Sequence, residues 1–303
     1  MATGVGPRVE SRPLMTDDEV AALCGASSEK LERLRAAVKG YGSALVAFSG
    51  GVDSTFVLRI AVEQLGARAL AITALSASVS SDEADEARAL AATLEARHVV
   101  VDSHELDDPR YTANPSNRCY FCKTELYALT EKARAEHQLS VVLDGFNADD
   151  KKDHRPGHQA AREHKVISPL ADAGLTKNEI RAWSHRLGLP TWDKPQLACL
   201  ASRLPYGTQV TVERLNQVGR AERALRGLGF KVFRVRYHNE VARLEVSADE
   251  LSRLMNPELR AQVDQAVKAA GFTFVAIDLE PFRTGRLNDT LKKGAGVSLP
   301  VVS

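Results

Sequence analysis

Residues 49–54, with the sequence Ser-Gly-Gly-Val-Asp-Ser, constrain the fold of this chain more than any other stretch. The apolar run 44–48 precedes them and a helix-like segment, 55–60, follows, so a short strand leads through two glycines into a helix. Such a junction aims several backbone N–H groups at one point, where the helix dipole also favours an anion. The spacing therefore predicts a phosphate-binding loop.

The residue types in the loop fit that prediction. Gly50 and Gly51 let the backbone approach phosphate oxygens closely. Ser49 and Ser54 add hydroxyl donors, and Asp53 supplies a carboxylate for the Mg²⁺ that accompanies a triphosphate. The spacing and lysine of a Walker A loop are missing. The loop resembles the PP-loop of the N-type ATP pyrophosphatases, which cleave ATP to AMP and pyrophosphate; a plain glycine turn is the alternative.

Strand and helix signals alternate through the first two thirds of the chain. This rhythm predicts an α/β fold, in which a twisted parallel sheet carries helices on both faces. The loop would then lie at the carboxyl ends of the strands, where ligands of such sheets bind. The predicted strands are 44–48, 67–74, 98–102, 140–146 and 165–169, and the predicted helices are 29–39, 54–65, 81–96, 122–137 and 176–187.

The pattern changes after about residue 205. A helix at 212–228, a hairpin of strands 231–238 and 241–247, a helix at 257–270 and a strand at 272–279 predict a smaller α+β domain with antiparallel pairing. We therefore predict four parts. They are a partly ordered leader (1–27), a PP-loop ATP pyrophosphatase domain (28–205), a substrate-binding α+β domain (206–291) and a tail (292–303).

The composition of the chain limits which kinds of binding partner and which compartment are expected. Lysine plus arginine number 40 and aspartate plus glutamate 39, so the net charge of +1 argues against a nucleic acid or an acidic membrane surface. No apolar run approaches the roughly 20 residues that span a bilayer, and residues 1–20 lack the apolar core of a secretory signal. A cytoplasmic protein is expected. Four cysteines in such a chain suggest metal binding, catalysis or burial rather than disulfides.

Three of the cysteines can converge. Cys119 and Cys122 form a C-x-x-C after the turn-rich segment 114–118, and Cys199 lies in a second loop. Three thiolates without an evident fourth ligand fit a [4Fe–4S] cluster with an open iron site. A redox dithiol would leave Cys199 unexplained, and Cys24 is expected to be a packing residue. Structural zinc would need a fourth ligand from among His98, His104, His154 and His158.

Two further polar groups are candidates for ligand binding. Residues 144–150 follow a predicted strand, so their polar groups emerge at the same sheet edge, and Asp144 and Gly145 are predicted to bind the cofactor. Gly145 allows a tight turn, and Asn147, Asp149 and Asp150 could hold Mg²⁺ or order a ribose; a solvated acidic turn is the alternative. The charged segment 151–158 fits either substrate binding or a surface loop.

A second group lies on a predicted strand of the small domain. Arg234, Arg236 and His238 alternate, so they share one face and form a candidate phosphate clamp, against the alternative of a solvent-facing strand. Glu222, on the preceding helix, is a weaker candidate for metal or substrate binding.

With these pieces located, the chain resembles the LarE family, which inserts sulfur during synthesis of the nickel-pincer nucleotide cofactor of lactate racemase. The resemblance spans residues 29–288. It rests on separated motifs at 49–54, 114–123, 144–150, 155–157, 168–170, 174–177, 192–195, 198–207 and 235–238.

The resemblance implies that ATP adenylylates a carboxylate of pyridinium-3,5-biscarboxylic acid mononucleotide, and that sulfur then displaces AMP. It also implies substrate binding by Arg203, Glu222, Arg234 and Arg236, a sulfide source and a homo-oligomer. Some members sacrifice the sulfur of the cysteine matching Cys199, whereas others hold a [4Fe–4S] cluster on three cysteines. Cys119, Cys122 and Cys199 match the second type. The rivals are a cluster-dependent tRNA thiolase, an amide-forming PP-loop enzyme and a zinc-stabilised nucleotide-binding protein.

Overall fold

A computed structural model describes residues 15–78, 81–150, 156–195 and 198–292. Its larger sheet has four strands in the order β3-β2-β1-β4, and all of its pairings are parallel. The strands are β1 (Ala44–Ala47), β2 (Ala69–Leu75), β3 (Arg97–Asp102) and β4 (Val141–Leu143).

Helices cover both faces of this sheet, as predicted. Val46 and Ala71 face the apolar core on one side of the sheet, whereas Leu45 and Leu70 face Ala133 on the other side. Successive strand residues point to opposite faces, so both faces are covered. The helices of this part are α1 (Asp17–Ala26), α2 (Ser28–Gly40), α3 (Val52–Leu65), α4 (Ser81–Thr93), α5 (Pro109–Thr112), α6 (Arg118–Glu136), α7 (Pro156–Glu163), α8 (Pro169–Ala173) and α9 (Lys177–Arg186).

Three predicted elements of this part need correction. Helix α6 begins at Arg118, four residues before the predicted start, so both cysteines of the C-x-x-C lie on it. The predicted strand 165–169 is reduced to one bridge between Ile167 and Leu143, because Pro169 opens α8 immediately afterwards. Part of the predicted charged loop is helix α7.

The described part of the predicted leader forms helix α1, and this helix is packed against the domain. Val20 and Cys24 are buried against Ala182 and Trp183 of α9, which confirms Cys24 as a packing residue. Within the described residues, no helix is both long and apolar enough to cross a bilayer.

The smaller sheet has the order β5-β6-β7. The predicted hairpin of β5 and β6 is antiparallel, but β7 pairs parallel to β6, which corrects the expected all-antiparallel sheet. The reason is that α12 crosses between these strands and returns the chain to the same end. The elements are α10 (Val212–Gly227), β5 (Phe233–His238), β6 (Val241–Val246), α11 (Ala248–Arg253), α12 (Pro257–Ala269), β7 (Phe274–Ile277) and α13 (Asp289–Lys292).

A second apolar core joins the two parts. Leu200, Ala201 and Leu204, which follow Cys199, pack with Val218 of α10 and Val235 of β5. The segment that carries Cys199 is therefore fixed between the large sheet and the small one.

Candidate functional site

The loop between β1 and α3 has the conformation of an anion cradle. Gly50 has a positive φ of 67°, which favours glycine, and Gly51 is the N-cap of α3. No side chain caps this helix end, so its first N–H groups are open to a ligand within the described structure. Ser54 Oγ lies 3.2 Å from Ser49 Oγ and accepts a hydrogen bond from Ser49 N at 3.3 Å, which closes the loop.

Asp144 and Gly145 support the loop from β4. A Cβ on Gly145 would lie 3.0 Å from Ser54 N and 3.2 Å from Asp53 Cβ, so only glycine allows this approach. Asp144 accepts hydrogen bonds from Tyr127 Oη at 3.0 Å and from the backbone N of Phe146 at 3.1 Å. Burial raises the pKa of Asp144. Both predicted cofactor-binding residues are thus engaged in shaping the cradle.

Asp53 is only half paired. Lys177 Nζ contacts its Oδ2, whereas Oδ1 is buried and has no hydrogen-bond partner among the described residues. Burial raises the pKa of Asp53, Lys177 opposes the shift, and Asp150 adds to it. A buried carboxylate oxygen without a donor is a favourable position for a cation, so the site fits the Mg²⁺ that the sequence predicted.

A second lysine reaches the loop from the other side. Lys194 Nζ donates to Gly50 O at 3.2 Å and pairs with Glu86 at 2.8 Å. Arg181 holds this segment by donating to the carbonyl of Lys194 at 2.7 Å. Sequence reasoning singled out the motifs at 174–177 and 192–195 but gave their lysines no role.

Hydrogen bonds of buried residues assemble the cysteine pocket. Asn114 Nδ2 donates to the carbonyls of Pro205 and Thr208 at 2.8 and 2.9 Å, and Arg118 Nη1 donates to Ala201 O at 3.0 Å. Asn114 also has a positive φ of 54°, which this residue type tolerates better than most. These bonds bring the start of α6 beside the segment of Cys199.

The three predicted cysteines are close enough here for the charge of Cys199 to act on both Cys119 and Cys122. Cys119 and Cys122 lie on the first turn of α6, and Cys199 caps a short 3₁₀ turn. Burial raises the pKa of Cys119, Cys199 adds to the shift, and Arg118 opposes it, although the Cys119 residue keeps an exposed side at the rim. Burial also raises the pKa of Cys122, and the charge of a buried carboxylate, Glu105, adds to that shift, together with a hydrogen bond between the two side chains.

Glu105 is a residue that sequence reasoning missed. It accepts a hydrogen bond from Ser76 Oγ at 2.7 Å and lies against Cys122. Nothing in the local sequence His-Glu-Leu-Asp-Asp distinguishes it from a surface acid. Its position depends on a contact between the ends of β2 and β3, which the local pattern does not encode.

A single zinc ion is not supported by the part of the chain that the structure describes. No three His, Cys, Asp or Glu side chains there are arranged to hold one metal ion. Among the candidate fourth ligands, His98 forms a hydrogen bond with Thr73 at 2.8 Å and His104 is exposed. The His158 ring packs at a tilt against Phe146, with 4.0 Å between the ring centroids, and His154 lies outside the described residues. In a cubane cluster each cysteine sulfur binds a different iron, so a cluster does not need three side chains around one ion.

Two of the predicted substrate-binding arginines, one beside the small sheet and one within it, form buried ion pairs with glutamates. Arg203 makes two hydrogen bonds to Glu222, at 2.8 and 2.9 Å, and both side chains are buried. Arg236 makes two to Glu245 Oε2, at 2.9 and 2.8 Å. Burial, with the neighbouring Arg203, lowers the pKa of Arg234 to about 10, so it remains a cation at neutral pH.

The predicted clamp is therefore only partly assembled. His238 is exposed at the end of β5 and accepts from Arg243 Nε at 3.2 Å. Next to the buried pairs, a cleft of about 360 Å³ opens between the end of β2 and α10, which is within the size range of small-molecule sites. Its walls include Ser76, Leu200, Asn216, Arg220 and Arg223.

A parallel sheet whose first strand ends in a Ser-Gly-Gly-Val-Asp-Ser cradle at a helix N-terminus, without a Walker A lysine, is the arrangement of the ATP-dependent enzymes of the PP-loop class. Comparison with known proteins agrees. A family model described as asparagine synthase matches residues 31–269. A protein of Synechocystis described as uncharacterized is 44% identical over 264 residues, which cover 87% of this chain and 98% of that protein.

A second relative carries an assigned activity. The pyridinium-3,5-bisthiocarboxylic acid mononucleotide synthase of Lactiplantibacillus plantarum is 37% identical over 265 residues, which cover 87% of this chain and 95% of that enzyme. An uncharacterized protein of Methanocaldococcus jannaschii is 28% identical over 240 residues, which cover 79% of this chain and 90% of that protein. The chain belongs to the LarE family of PP-loop enzymes, as its motifs predicted.

Proposed function

We propose that this enzyme adenylylates a carboxylate of pyridinium-3,5-biscarboxylic acid mononucleotide and then converts it to a thiocarboxylate. In the first step a carboxylate oxygen attacks the α-phosphorus of ATP and pyrophosphate leaves. In the second step sulfide attacks the acyl carbon and AMP leaves with the electron pair of the broken C–O bond. The activity for which the L. plantarum relative is named supports this substrate class.

One observation carries the proposal. Cys119 and Cys122 come from one segment and Cys199 from a distant one, yet the charge of Cys199 acts on both of the others, and Cys122 and Cys199 pack against the second apolar core. A PP-loop alone leaves the nucleophile open, whereas three converging thiols favour sulfur. An amide-forming enzyme would give these thiols no function.

The loop and the arginines would hold the two nucleotides. We propose that Ser49, Gly50, Gly51 and Ser54 bind the pyrophosphate part of ATP through N–H and hydroxyl donors. Asp53 would hold Mg²⁺ through its unpaired oxygen. Neutralising the phosphates in this way stabilises the charge that develops as pyrophosphate leaves.

The acceptor nucleotide would bind at the small sheet. Arg234 supplies the cation for its phosphate, supported by the pairs of Arg203 with Glu222 and of Arg236 with Glu245. These pairs fix the guanidinium planes before the substrate arrives, which reduces the entropy lost on binding.

We propose that Cys119, Cys122 and Cys199 hold a [4Fe–4S] cluster. When bound, the cluster would supply an iron site that is not occupied by cysteine and can carry the sulfide for transfer. The raised pKa values of Cys119 and Cys122 speak against a redox dithiol, because such pairs need an acidic thiol. They are compatible with metal ligands, which lose their protons when the metal binds.

Three further predictions belong to this proposal. The enzyme would take its sulfide from an external source, work in the cytoplasm and form a homo-oligomer. The net charge of +1 favours a small-molecule acceptor over transfer RNA.

Anaerobic purification with iron and acid-labile sulfide analysis tests the cluster. We expect about four irons per chain in the wild type, and near-complete loss in Cys119→Ala with little change in ATP binding. Cys24→Ala is the matched control, because this thiol is buried between α1 and α9, and it should keep its iron. Iron retained in Cys119→Ala would contradict the ligand assignment.

Mass spectrometry after turnover separates the two sulfur sources. An intact Cys199 after several turnovers is expected for a recycled cluster. Loss of one sulfur from Cys199 would instead identify it as the sacrificial donor.

A further inference from the structure

Lys177 is a charged residue near the loop that the proposed reaction has not yet used. Its Nζ contacts Asp53 Oδ2, although the two residues are 124 positions apart in the chain. Both side chains are partly buried, so the pair is not an ordinary surface ion pair.

The backbone of Lys177 is fixed while its side chain can move. Thr176 and Glu179 form a capping box at the start of α9, and Lys177 N donates to Asp149 Oδ2 at 2.9 Å. The ammonium then reaches Asp53 on a flexible four-carbon arm with three donors. The backbone of Lys177 can therefore stay in place when its ammonium group changes its partner.

Among the described residues, the acids and cations whose charges act at Asp53 are balanced in number. Asp150 is the second acid beside the Asp53 carboxylate, and Lys177 and Arg181 are the two cations that act on it. When Mg²⁺ occupies the unpaired Oδ1, it repels the ammonium on the neighbouring oxygen of the same carboxylate. The nearest new anions are the phosphates that arrive with the metal on the loop.

We propose that Lys177 is a two-position cation. It neutralises Asp53 while the loop is empty, and it transfers to the β- and γ-phosphate oxygens when Mg·ATP binds. There it stabilises the pyrophosphate leaving group, a role that would make it a catalytic residue. This inference rests on the proposed function, because it requires ATP to be cleaved at the α-phosphate.

Binding measurements with pyrophosphate and metal separately test the proposal. In Lys177→Met, we expect the dissociation constant of Mg·pyrophosphate, measured by calorimetry, to rise about 10- to 100-fold, because a charge-assisted hydrogen bond is lost. Mn²⁺ alone, measured by electron paramagnetic resonance titration, should bind as tightly as in the wild type or more tightly, since its competitor is gone. Lys177→Arg should keep most of the pyrophosphate affinity.

Lys30→Met is the matched control. Lys30 pairs with Glu179 at 2.7 Å, so this variant breaks an ion pair at the same end of α9 without reaching the loop. It should leave both affinities within about twofold of the wild type.

Two results would overturn the role of Lys177. One is pyrophosphate affinity in Lys177→Met within twofold of the wild type. The other is an equal loss of Mn²⁺ and pyrophosphate binding, which a purely structural ion pair predicts. Failure of the wild type to bind Mg·pyrophosphate would instead overturn the proposed function itself, and thermal denaturation of Lys177→Arg shows whether folding is preserved.

Discussion

The two charged regions of the site hold their charges in opposite ways. At the small sheet, Arg203 and Arg236 are fixed in buried two-bond pairs with Glu222 and Glu245. At the loop, Asp53 has one oxygen on a flexible lysine and one without a partner among the described residues. The first region is built to keep one arrangement, whereas the second is built to exchange partners when a ligand arrives.

The largest effect should come from breaking a fixed pair. Arg203→Met leaves Glu222 as a buried charge without its main partner, so we expect a loss of about 3–5 kcal/mol in the free energy of unfolding. Urea unfolding measures it. The double variant Arg203→Met/Glu222→Leu should recover most of the loss, since it buries no unpaired charge. A single variant that costs under about 1 kcal/mol would contradict the contrast between the regions.

A smaller effect is expected where the loop is wedged against β4. Gly145→Ala places a Cβ 3.0 Å from Ser54 N, so α3 or the β4 end must shift at a cost of about 1–3 kcal/mol. Mg·ATP affinity should fall with it, because the loop N–H groups move. Gly227→Ala is the control: no neighbouring atom lies within 4 Å of its Cβ, so it should be neutral or slightly stabilising. Unchanged ATP affinity in Gly145→Ala would show that the loop absorbs the methyl.

The smallest effect is an opposite pH dependence of the two regions. Burial alone would raise the pKa of Glu222, but Arg203 outweighs it and lowers the pKa below 4.5, so its contribution to stability is lost as pH falls through the folded value. Burial raises the pKa of Asp53 above 3.8, so its contribution is lost as pH rises through the folded value.

Urea unfolding without metal, from about pH 3 to about pH 7, compares each variant with the wild type. The advantage of the wild type over Glu222→Gln should shrink at the acid end. Its advantage over Asp53→Asn should shrink toward neutral pH. If the stability differences of the two variants from the wild type changed with pH in the same direction, the two regions would not differ in their pH dependence.

The sequence predicts a contiguous feature such as the loop better than contacts between distant parts of the chain. The loop is contiguous, and its conformation depends on local features such as the positive φ of Gly50 and the N-cap at Gly51, so six residues predicted it. The partners of those residues were not predictable. Lys177 and Lys194 reach the loop from positions 124 and 144 residues away, through contacts that only the folded chain creates.

The sequence predicted which three cysteines lie together, but not the helix that carries two of them or the residues that surround them. The C-x-x-C spacing identified Cys119 and Cys122, yet the start of α6 was placed four residues late, because Asn117 makes no side-chain cap and the helix has little amphipathic pattern. Glu105 and Arg118 were missed, since their burial depends on packing between distant segments.

The bonds of Asn114 and Arg118 also affect how the pocket responds to losing a metal. Arg118 and Ala201 lie 83 residues apart, so their hydrogen bond closes a long loop of the chain. The loop-closure entropy is lost when the protein folds, whether or not a metal is present. In a zinc finger the metal itself closes the chain and its removal unfolds the domain. A chelator should therefore remove the iron of the proposed cluster and leave a folded apoprotein.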